Sequence, residues 1–494
     1  MGKREVFGMT IMNSTINFRI VFKVLSSNLL IIGIALLVCI GVALIYSEAY
    51  LPFLFSSILT LSLGGLFRLA TRNRNENEKI HKKDAYLTVT LSWLVIALTG
   101  SLPYLFSGSI PRFTDAFFES VSGFTTTGSS ILTDIEILPK SILFWRSLTH
   151  WIGGIGIIVL VIVVMPSLQI GGYHLFTLES SLQEKIQPKI KSVGNRLLLI
   201  YLILTFAEVL LLLAGGMNMF DSLCHAFGTV ATGGFSPKNT SIAGYSPYIQ
   251  YVIMIFMLLA GVNFVIHYYL YKRDFKKVRD NEEVKFYLAI VFGIGLILTA
   301  ALFFKMNKPL EESFREAFFQ VISIITCTGF ATADYLLWPS FAWTILFLAM
   351  FLGGSTGSTA GGIKMARHLV LIKNIRKMFR QLSSPKAILL IKLNKKTLSD
   401  ESNHSILSFI TVYLILFVVG SVLLSLTGVD GASSSSAVAT CMAGIGPGIG
   451  TVGPVSNFAH LPETGKWILS FMMLLGRLEI YTLILLFSPD FWKK

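Results

Sequence analysis

Charge is what this sequence has least of. Among its 494 residues only 14% are Asp, Glu, Lys or Arg, while 53% are hydrophobic. A soluble domain carries about 25% charged residues, so a string of soluble domains of this length is excluded. Cysteine is scarce too: Cys39, Cys224, Cys327 and Cys441 form no CxxC pair and fit neither a zinc site nor a disulfide framework. They read as small apolar residues inside a helix bundle. Acidic residues number 27 against 41 basic ones, a net charge of +14. No apolar span carries paired carboxylates, an HExxH, or a Ser/His/Asp set that converges by spacing, so the chain does not read as an enzyme. His150, His174, His267, His368, His404 and His460 show no metal-ligand spacing.

Long apolar runs are what the chain has in abundance. About 20 apolar residues cross the hydrocarbon core, and ten stretches qualify: 25–46, 51–70, 86–106, 142–165, 197–215, 248–271, 285–304, 341–363, 405–427 and 466–488. The first follows Lys3, Arg4, Arg19 and Lys23 and is too long for a signal-peptide core. The connections after the even-numbered spans are basic: 71–84, 173–196, 272–285 and 364–396, with Lys493 and Lys494 at the end. Cytoplasmic loops collect Lys and Arg. The rule places these segments and both termini in the cytoplasm of a multi-pass membrane protein. That accounts for the net charge without nucleic acid, the lipid bilayer and its anionic headgroups being the counter-surface.

The remaining connections, 107–141, 216–247, 305–340 and 428–465, each hold a short semi-apolar stretch followed by glycines. None is long enough to span twice. Each reads as a half-helix dipping in from outside and returning as extended backbone. Such backbone is tolerated at membrane depth only where it lines a watery cavity or is buried in protein. Aligning Thr-Gly pairs brings together Asp115–Gly128, Asp221–Gly233, Glu316–Gly329 and the more divergent Asp430–Gly448, so the key glycines are Gly128, Gly233, Gly329 and Gly446. An acidic residue opens each half-helix (Asp115, Asp221, Glu316, Asp430).

The fold expected is therefore an all-α membrane protein. Four units of helix, half-helix, glycine loop and helix stand around one axis, and two extra helices precede them. The units divide the chain at 1–84, 85–172, 173–271, 272–396 and 397–494. A cation that sheds water needs a ring of oxygens, and glycine lets successive carbonyls turn inward. The expected ion-binding donors are Thr127, Gly128, Thr232, Gly233, Thr328, Gly329, Ile445 and Gly446.

Thr125-Thr-Thr-Gly128-Ser, Ala231-Thr-Gly233-Gly-Phe-Ser236, Thr328-Gly329-Phe and Gly446-Pro-Gly448 resemble the four filter loops of the Trk/Ktr/HKT superfamily of potassium transporters. Leu143–Leu160, Gly353–Lys364 and Leu475–Leu483 look like three of its pore-flanking helices, and the two extra N-terminal spans point to the TrkH/TrkG branch. The resemblance implies pseudo-fourfold symmetry of the four units around the pore, and a homodimer in the bacterial inner membrane. Each subunit would pass K⁺ through its own selectivity filter, with Rb⁺ and Na⁺ as lesser ions and no bound cofactor. A cytosolic ring of nucleotide-binding TrkA-type subunits would gate it. Glycine at 128 goes with K⁺ preference, serine there with Na⁺ transport. Ala443-Gly444 replaces the asparagine pair usual before the fourth glycine, which bears on discrimination against Na⁺.

Arg477 lies in an apolar span, where a charge costs about 2.5–3.5 kcal/mol by insertion scales. The resemblance puts it under the filter as a barrier to cations. The alternative is an ion pair with Glu479 or a bond to a loop carbonyl. Gly353, Gly354, Gly357 and Gly361 interrupt the eighth span and are read as a gate loop. Ile363 stands between Gly362 and Lys364, which breaks a P-loop pattern. Asn263 matches a pore-facing asparagine of the family. Glu119 and His225 are expected to brace the filter. Glu208 is either a proton site or a packed residue, and a proton-coupled symporter on the same scaffold is the alternative to a channel-like pore. The basic stretch 364–396 is either a solvated face or the docking surface of the gating ring.

Overall fold

The computed structural model describes residues 16–72, 82–159, 190–387 and 389–492. The far end of the fourth span, the boundary at 172/173, His174, and Lys3, Arg4, Arg74, Lys79, Lys185, Lys189, Lys493 and Lys494 lie outside them.

The described chain is helical apart from one two-stranded hairpin, Lys392–Leu393 with Lys396–Thr397. Among the described residues, six helices are long and apolar enough to cross a membrane: Phe18–Ile45, Leu51–Ala70, Lys82–Phe106, Gly194–Ala214, Glu282–Met306 and Asp400–Ser425. Lys140–Val159 adds the described part of the fourth expected span. The first two form a hairpin packed through small residues. The Ser57 hydroxyl donates to the Gly33 carbonyl (3.1 Å) and that of Ser26 to Gly64 (2.8 Å). Small residues at helix contacts let backbones approach, the usual device in lipid.

Three expected spans are not continuous helices. The sixth is Pro247–Ala260 followed by Phe264–Tyr271, bent by 101°. The tenth is Glu463–Arg477 followed by Tyr481–Phe487, bent by 112°. In the eighth, helix stops at Ala349 and resumes at Met365. Apolarity set the expected length, but local backbone breaks it. Glycines occupy the eighth, and Glu479 and Ile480 adopt left-handed dihedrals (φ 58° and 49°) in the tenth. A β-branched residue in that region is a true outlier, costing about 1–3 kcal/mol, and such strain clusters at functional sites.

Four short helices lie between the spans: Phe113–Phe124, Met219–Val230, Leu310–Ile325 and Gly431–Ala443. Asp115 and Asp221 sit in first turns and Asp430 is an N-cap, accepting from Ser433 N. Glu316 does not open its helix. That helix starts at Leu310, where Glu311 and Glu312 fill the first turn, and Glu316 pairs with Lys308 Nζ at 2.8 Å.

Two of the basic connections are tied together. Glu282 N donates to Asn394 Oδ1, Lys373 pairs with Glu282, and Lys395 pairs with Asp280, which joins the 272–285 and 364–396 segments. Arg19 reaches the Thr71 carbonyl, Asn17 N donates to Asp84, and Ile16 and Phe491 pack with Ala85 and Tyr86, so both ends of the described chain meet the start of the third span.

Candidate functional site: four loops and the segment beneath them

Each short helix ends the same way. A residue in left-handed conformation follows the helix: Thr126 (φ 52°), Thr232 (54°), Cys327 (57°) and Gly444 (73°). The next N–H then reaches back across six residues: Thr127 N to Ser122 O (2.9 Å), Gly233 N to Gly228 O (2.8 Å), Thr328 N to Ser323 O (2.8 Å), Ile445 N to Thr440 O (2.9 Å). This is a Schellman cap, which usually takes glycine at the left-handed position. Three of the four copies place Thr or Cys there instead. The fourth has Gly444, and asparagine is the other residue that tolerates this conformation. Gly444 in place of asparagine therefore preserves the backbone.

One residue further, the backbone is left-handed again, at Gly128 (φ 81°), Gly234 (81°), Gly329 (81°) and Gly446 (94°). This corrects the second unit by one place. Gly234, not Gly233, is the counterpart of Gly128; Gly233 matches Thr127, and Thr232 matches Thr126. The Thr-Gly dipeptide misled the alignment because Gly233 and Gly234 are adjacent glycines, and only the dihedral angle tells which makes the turn.

The four loops pack edge to edge in a closed cycle. A methyl group on Gly128 would lie 2.2 Å from the Gly233 carbonyl oxygen, one on Gly234 2.0 Å from that of Thr328, and one on Gly329 1.8 Å from that of Ile445. One on Gly446 would lie 2.9 Å from the Thr127 oxygen, which closes the ring. Each glycine is needed twice, for its dihedral and for the neighbouring carbonyl that takes the place of a side chain. The Thr127 and Thr328 hydroxyls pair with those of Thr125 and Thr326 at 2.8 Å, so they brace helix ends.

Buried side chains stitch the ring. Glu119 accepts from Arg146 Nε (2.8 Å), Ser130 Oγ (3.0 Å) and Ile131 N (3.0 Å), while Arg146 Nη1 donates to the Ser236 carbonyl (3.2 Å). The His225 ring lies 2.8 Å from the Asp221 carbonyl and 2.9 Å from Ser236 Oγ. Tyr335 Oη donates to the Gly448 carbonyl (2.6 Å). Glu119 and His225 brace the loops as expected. Arg146, His150 and Tyr335 were not singled out. Arg146 had a signal, being a cation in an apolar run one helix away from a lone carboxylate.

The 350–364 segment lies against this assembly from the side of the basic loops. It folds back on itself: a methyl on Gly353 would lie 2.5 Å from the Gly361 carbonyl oxygen, and Leu352 bridges to Ile363. It rests on the ends of two short helices. The Thr359 hydroxyl donates to the Val230 carbonyl (3.0 Å), and a methyl on Gly361 would lie 2.1 Å from the Ala443 carbonyl. Ser355 N donates to Gly261 O (2.8 Å) and Phe264 N to Gly357 O (3.2 Å), which fixes the segment in the 101° bend. Gly354 approaches the Gly261 carbonyl as well, and Gly357 the Asn263 amide, whose Oδ1 also caps Val265 N.

Arg477 is 6% exposed. Its Nη1 donates to the Thr359 carbonyl (3.0 Å) and its Nη2 to that of Gly153 (3.2 Å), while Nε has no partner among the described residues. It does not pair with Glu479, which is taken by Arg367. Glu283, also buried, accepts at one oxygen from Thr356 N (2.6 Å), Thr356 Oγ1 (3.1 Å) and Ala366 N (3.0 Å), tying the middle of the segment to the start of the helix that follows it. Glu283 gave no sign of this in the sequence, where an acid in a first turn reads as dipole compensation. Glu208 is fully buried, and neither of its oxygens has a hydrogen-bond partner among the described residues.

The sequence pattern of the TrkH family, described as a cation transport protein, matches residues 52–494. The Trk system potassium uptake protein TrkH of Escherichia coli K12 is 36% identical over 487 residues, covering 97% of this chain and 100% of that protein. TrkG of the same organism is 34% identical over 460 residues, 92% of this chain and 94% of that one. The crystal structure of the potassium transporter TrkH from Vibrio parahaemolyticus superimposes with a TM-score of 0.89 at 33% identity, covering 97% of this chain and all of that one. With a match over nearly its whole length to both pattern and fold, the chain belongs to the TrkH family of cation transport proteins.

Proposed function

We propose that this chain takes up potassium ions across the bacterial cytoplasmic membrane through a channel-like pore on the axis of the four loops. The observation that carries the reading is the closed cycle, in which each glycine abuts the carbonyl of the next unit. A cation on that axis would exchange its water for main-chain oxygens. The donors proposed are the carbonyls of the Thr127-Gly128, Gly233-Gly234, Thr328-Gly329 and Ile445-Gly446 pairs, with Thr232 one step below at the helix end. The four units then stand in pseudo-fourfold order around one pore, with the Phe18–Ile45 and Leu51–Ala70 hairpin outside it. Potassium uptake by the TrkH and TrkG relatives supports K⁺ as the cargo.

The 350–364 segment is proposed as the gate and Arg477 as the charge that holds it shut. The segment touches the ends of two short helices at once, and Arg477 binds one of its carbonyls. Homodimer formation, a cytosolic nucleotide-binding gating ring and cytoplasmic termini complete the proposal. The joining of the basic 272–285 and 364–396 segments, and the meeting of both described ends at the start of the third span, support the topology.

A proton-coupled symporter is the second reading, favoured by one observation: Glu208 is a buried carboxyl with no hydrogen-bond partner among the described residues. Uptake of ⁸⁶Rb⁺ into proteoliposomes, with K⁺ and Na⁺ competition and with or without a pH gradient, tests both. Saturable uptake that K⁺ blocks far better than Na⁺ is expected without a pH gradient. Uptake that a pH gradient drives against the K⁺ gradient would replace the channel reading with the symporter.

A further inference from the structure

We infer that His150 is a positioning residue for the second loop, filling the place of the side chain that Gly233 lacks, and so sets how sharply the ring separates potassium from sodium. The inference rests on the proposed potassium-selective pore. In three units the middle residue of the loop has a side chain that anchors it from behind. Thr127 bonds to Thr125, Thr328 bonds to Thr326, and Ile445 is completely buried. The second unit has Gly233 at that position, with no anchor of its own.

The anchor comes from another helix. A methyl group built on Gly233 would lie 2.4 Å from Nδ1, 2.5 Å from Cγ and 2.8 Å from Cε1 of His150, so the imidazole already occupies its place. The ring is held at both nitrogens. Nδ1 is 2.9 Å from the carbonyl of Gly123, near the end of the first short helix, and Nε2 is 3.2 Å from Phe235 N, just past the second loop. Phe235 N–H can only donate, so Nε2 is the acceptor and Nδ1 carries the proton to Gly123: a neutral imidazole in one tautomer. The Phe235 ring lies on the imidazole at 4.1 Å, with the Arg146 guanidinium over Phe235 at 3.9 Å. His150 therefore spans the first and second units beside the one loop of the ring whose middle residue is a glycine.

This bears on selectivity because a ring of carbonyls that resists closing on the smaller ion favours the larger one. A glycine loop without its backing can move inward. The test uses the full-length chain in proteoliposomes, measuring ⁸⁶Rb⁺ uptake against K⁺ and Na⁺ competition for His150→Ala, His150→Gln, Gly233→Ala and the double variant His150→Ala/Gly233→Ala. His150→Ala is expected to let Na⁺ compete at about one tenth of the wild-type concentration, a change of about 1.4 kcal/mol. His150→Gln keeps a donor and an acceptor and should fall between. Gly233→Ala alone should abolish uptake, and removing the imidazole in the double variant should restore part of it. Unchanged Na⁺ competition in both His150 variants, or no rescue in the double variant, would overturn the inference. If His150→Ala does not yield a monodisperse protein, His150→Gln and the rescue decide. A wild-type protein that prefers neither ion would instead sink the proposed function.

Discussion

The ring and the segment beneath it are both irregular backbone, yet main chain and side chain share the work of holding them differently. Each loop of the ring is closed by its own main-chain cap, the same six-residue bond four times, and by carbonyls seated against glycines, with buried side chains such as Glu119 and His225 bracing it from behind. The 350–364 segment has main-chain bonds to Gly261 and Phe264 but also depends on charged side chains reaching in from elsewhere: Glu283 from the helix Glu282–Met306, and Arg477 from Glu463–Arg477. Undoing a cap means unwinding a helix end, whereas undoing a side-chain clasp means moving one residue. Rigid backbone suits ion coordination, and a clasped loop suits release. In the proposed pore, this is how one chain would be both selective and gated.

The comparison is broken most severely in the ring. Gly234→Ala imposes a side chain at φ 81° and 2.0 Å from the Thr328 carbonyl. We expect ⁸⁶Rb⁺ uptake to drop about a hundredfold, as about 2.7 kcal/mol on the conduction barrier would give, while the protein still purifies as a single species. Retained uptake would refute the corrected register. Gly128→Ser is the milder version. It puts a small side chain 2.2 Å from the Gly233 oxygen, and a displaced carbonyl should let Na⁺ compete with ⁸⁶Rb⁺. An unchanged K⁺/Na⁺ ratio would remove Gly128 from the coordination shell.

Changes to the clasp should act in the other direction. Arg477→Ala removes the charge and frees the Thr359 carbonyl. Uptake is expected to rise, about tenfold if the barrier falls by about 1.4 kcal/mol. Equal or lower ⁸⁶Rb⁺ uptake at matched expression would contradict a barrier role. Glu283→Gln keeps an acceptor but loses the charge that strengthens bonds to Thr356 and Ala366, each worth about 1.5–3 kcal/mol when charged. Uptake should rise a few-fold, less than for Arg477→Ala. A fall in uptake would make Glu283 a support of the open pore instead.

Much of this was legible in the sequence because the determinants are local. Apolar length marked the spans, Lys and Arg marked one side, and glycine after a semi-apolar stretch marked all four loops. Three things were not legible. Adjacent glycines hid the register of the second loop, since composition cannot say which of Gly233 and Gly234 takes φ 81°. The bends at 261–263 and 478–480 were hidden in apolar runs, and the second rests on Glu479 and Ile480, residue types that give no sign of left-handed backbone. Partners distant in sequence were invisible in principle. Glu479 looked like the neighbour of Arg477, but it points to Arg367, more than a hundred residues earlier.

The smallest effect is expected outside both regions, at the surface pair that ties the 272–285 and 364–396 segments together. Lys395 Nζ lies 2.8 Å from Asp280 Oδ2, and its bond holds the Asp280 carboxyl below its ordinary range. A depressed carboxyl contributes stability that is present above its unfolded-state value and is lost as pH falls through the folded one. Both side chains face solvent, where screening and side-chain entropy consume most of the attraction. Lys395→Ala should therefore leave ⁸⁶Rb⁺ uptake without a gating ring unchanged. It should shift thermal unfolding of the purified protein only slightly, and only at low salt and near-neutral pH. A large shift that persists in high salt would mean that the hairpin at 392–397 is clamped to the 272–285 connection by more than this pair. The clasped region would then extend beyond Glu283 and Arg477 to the surface.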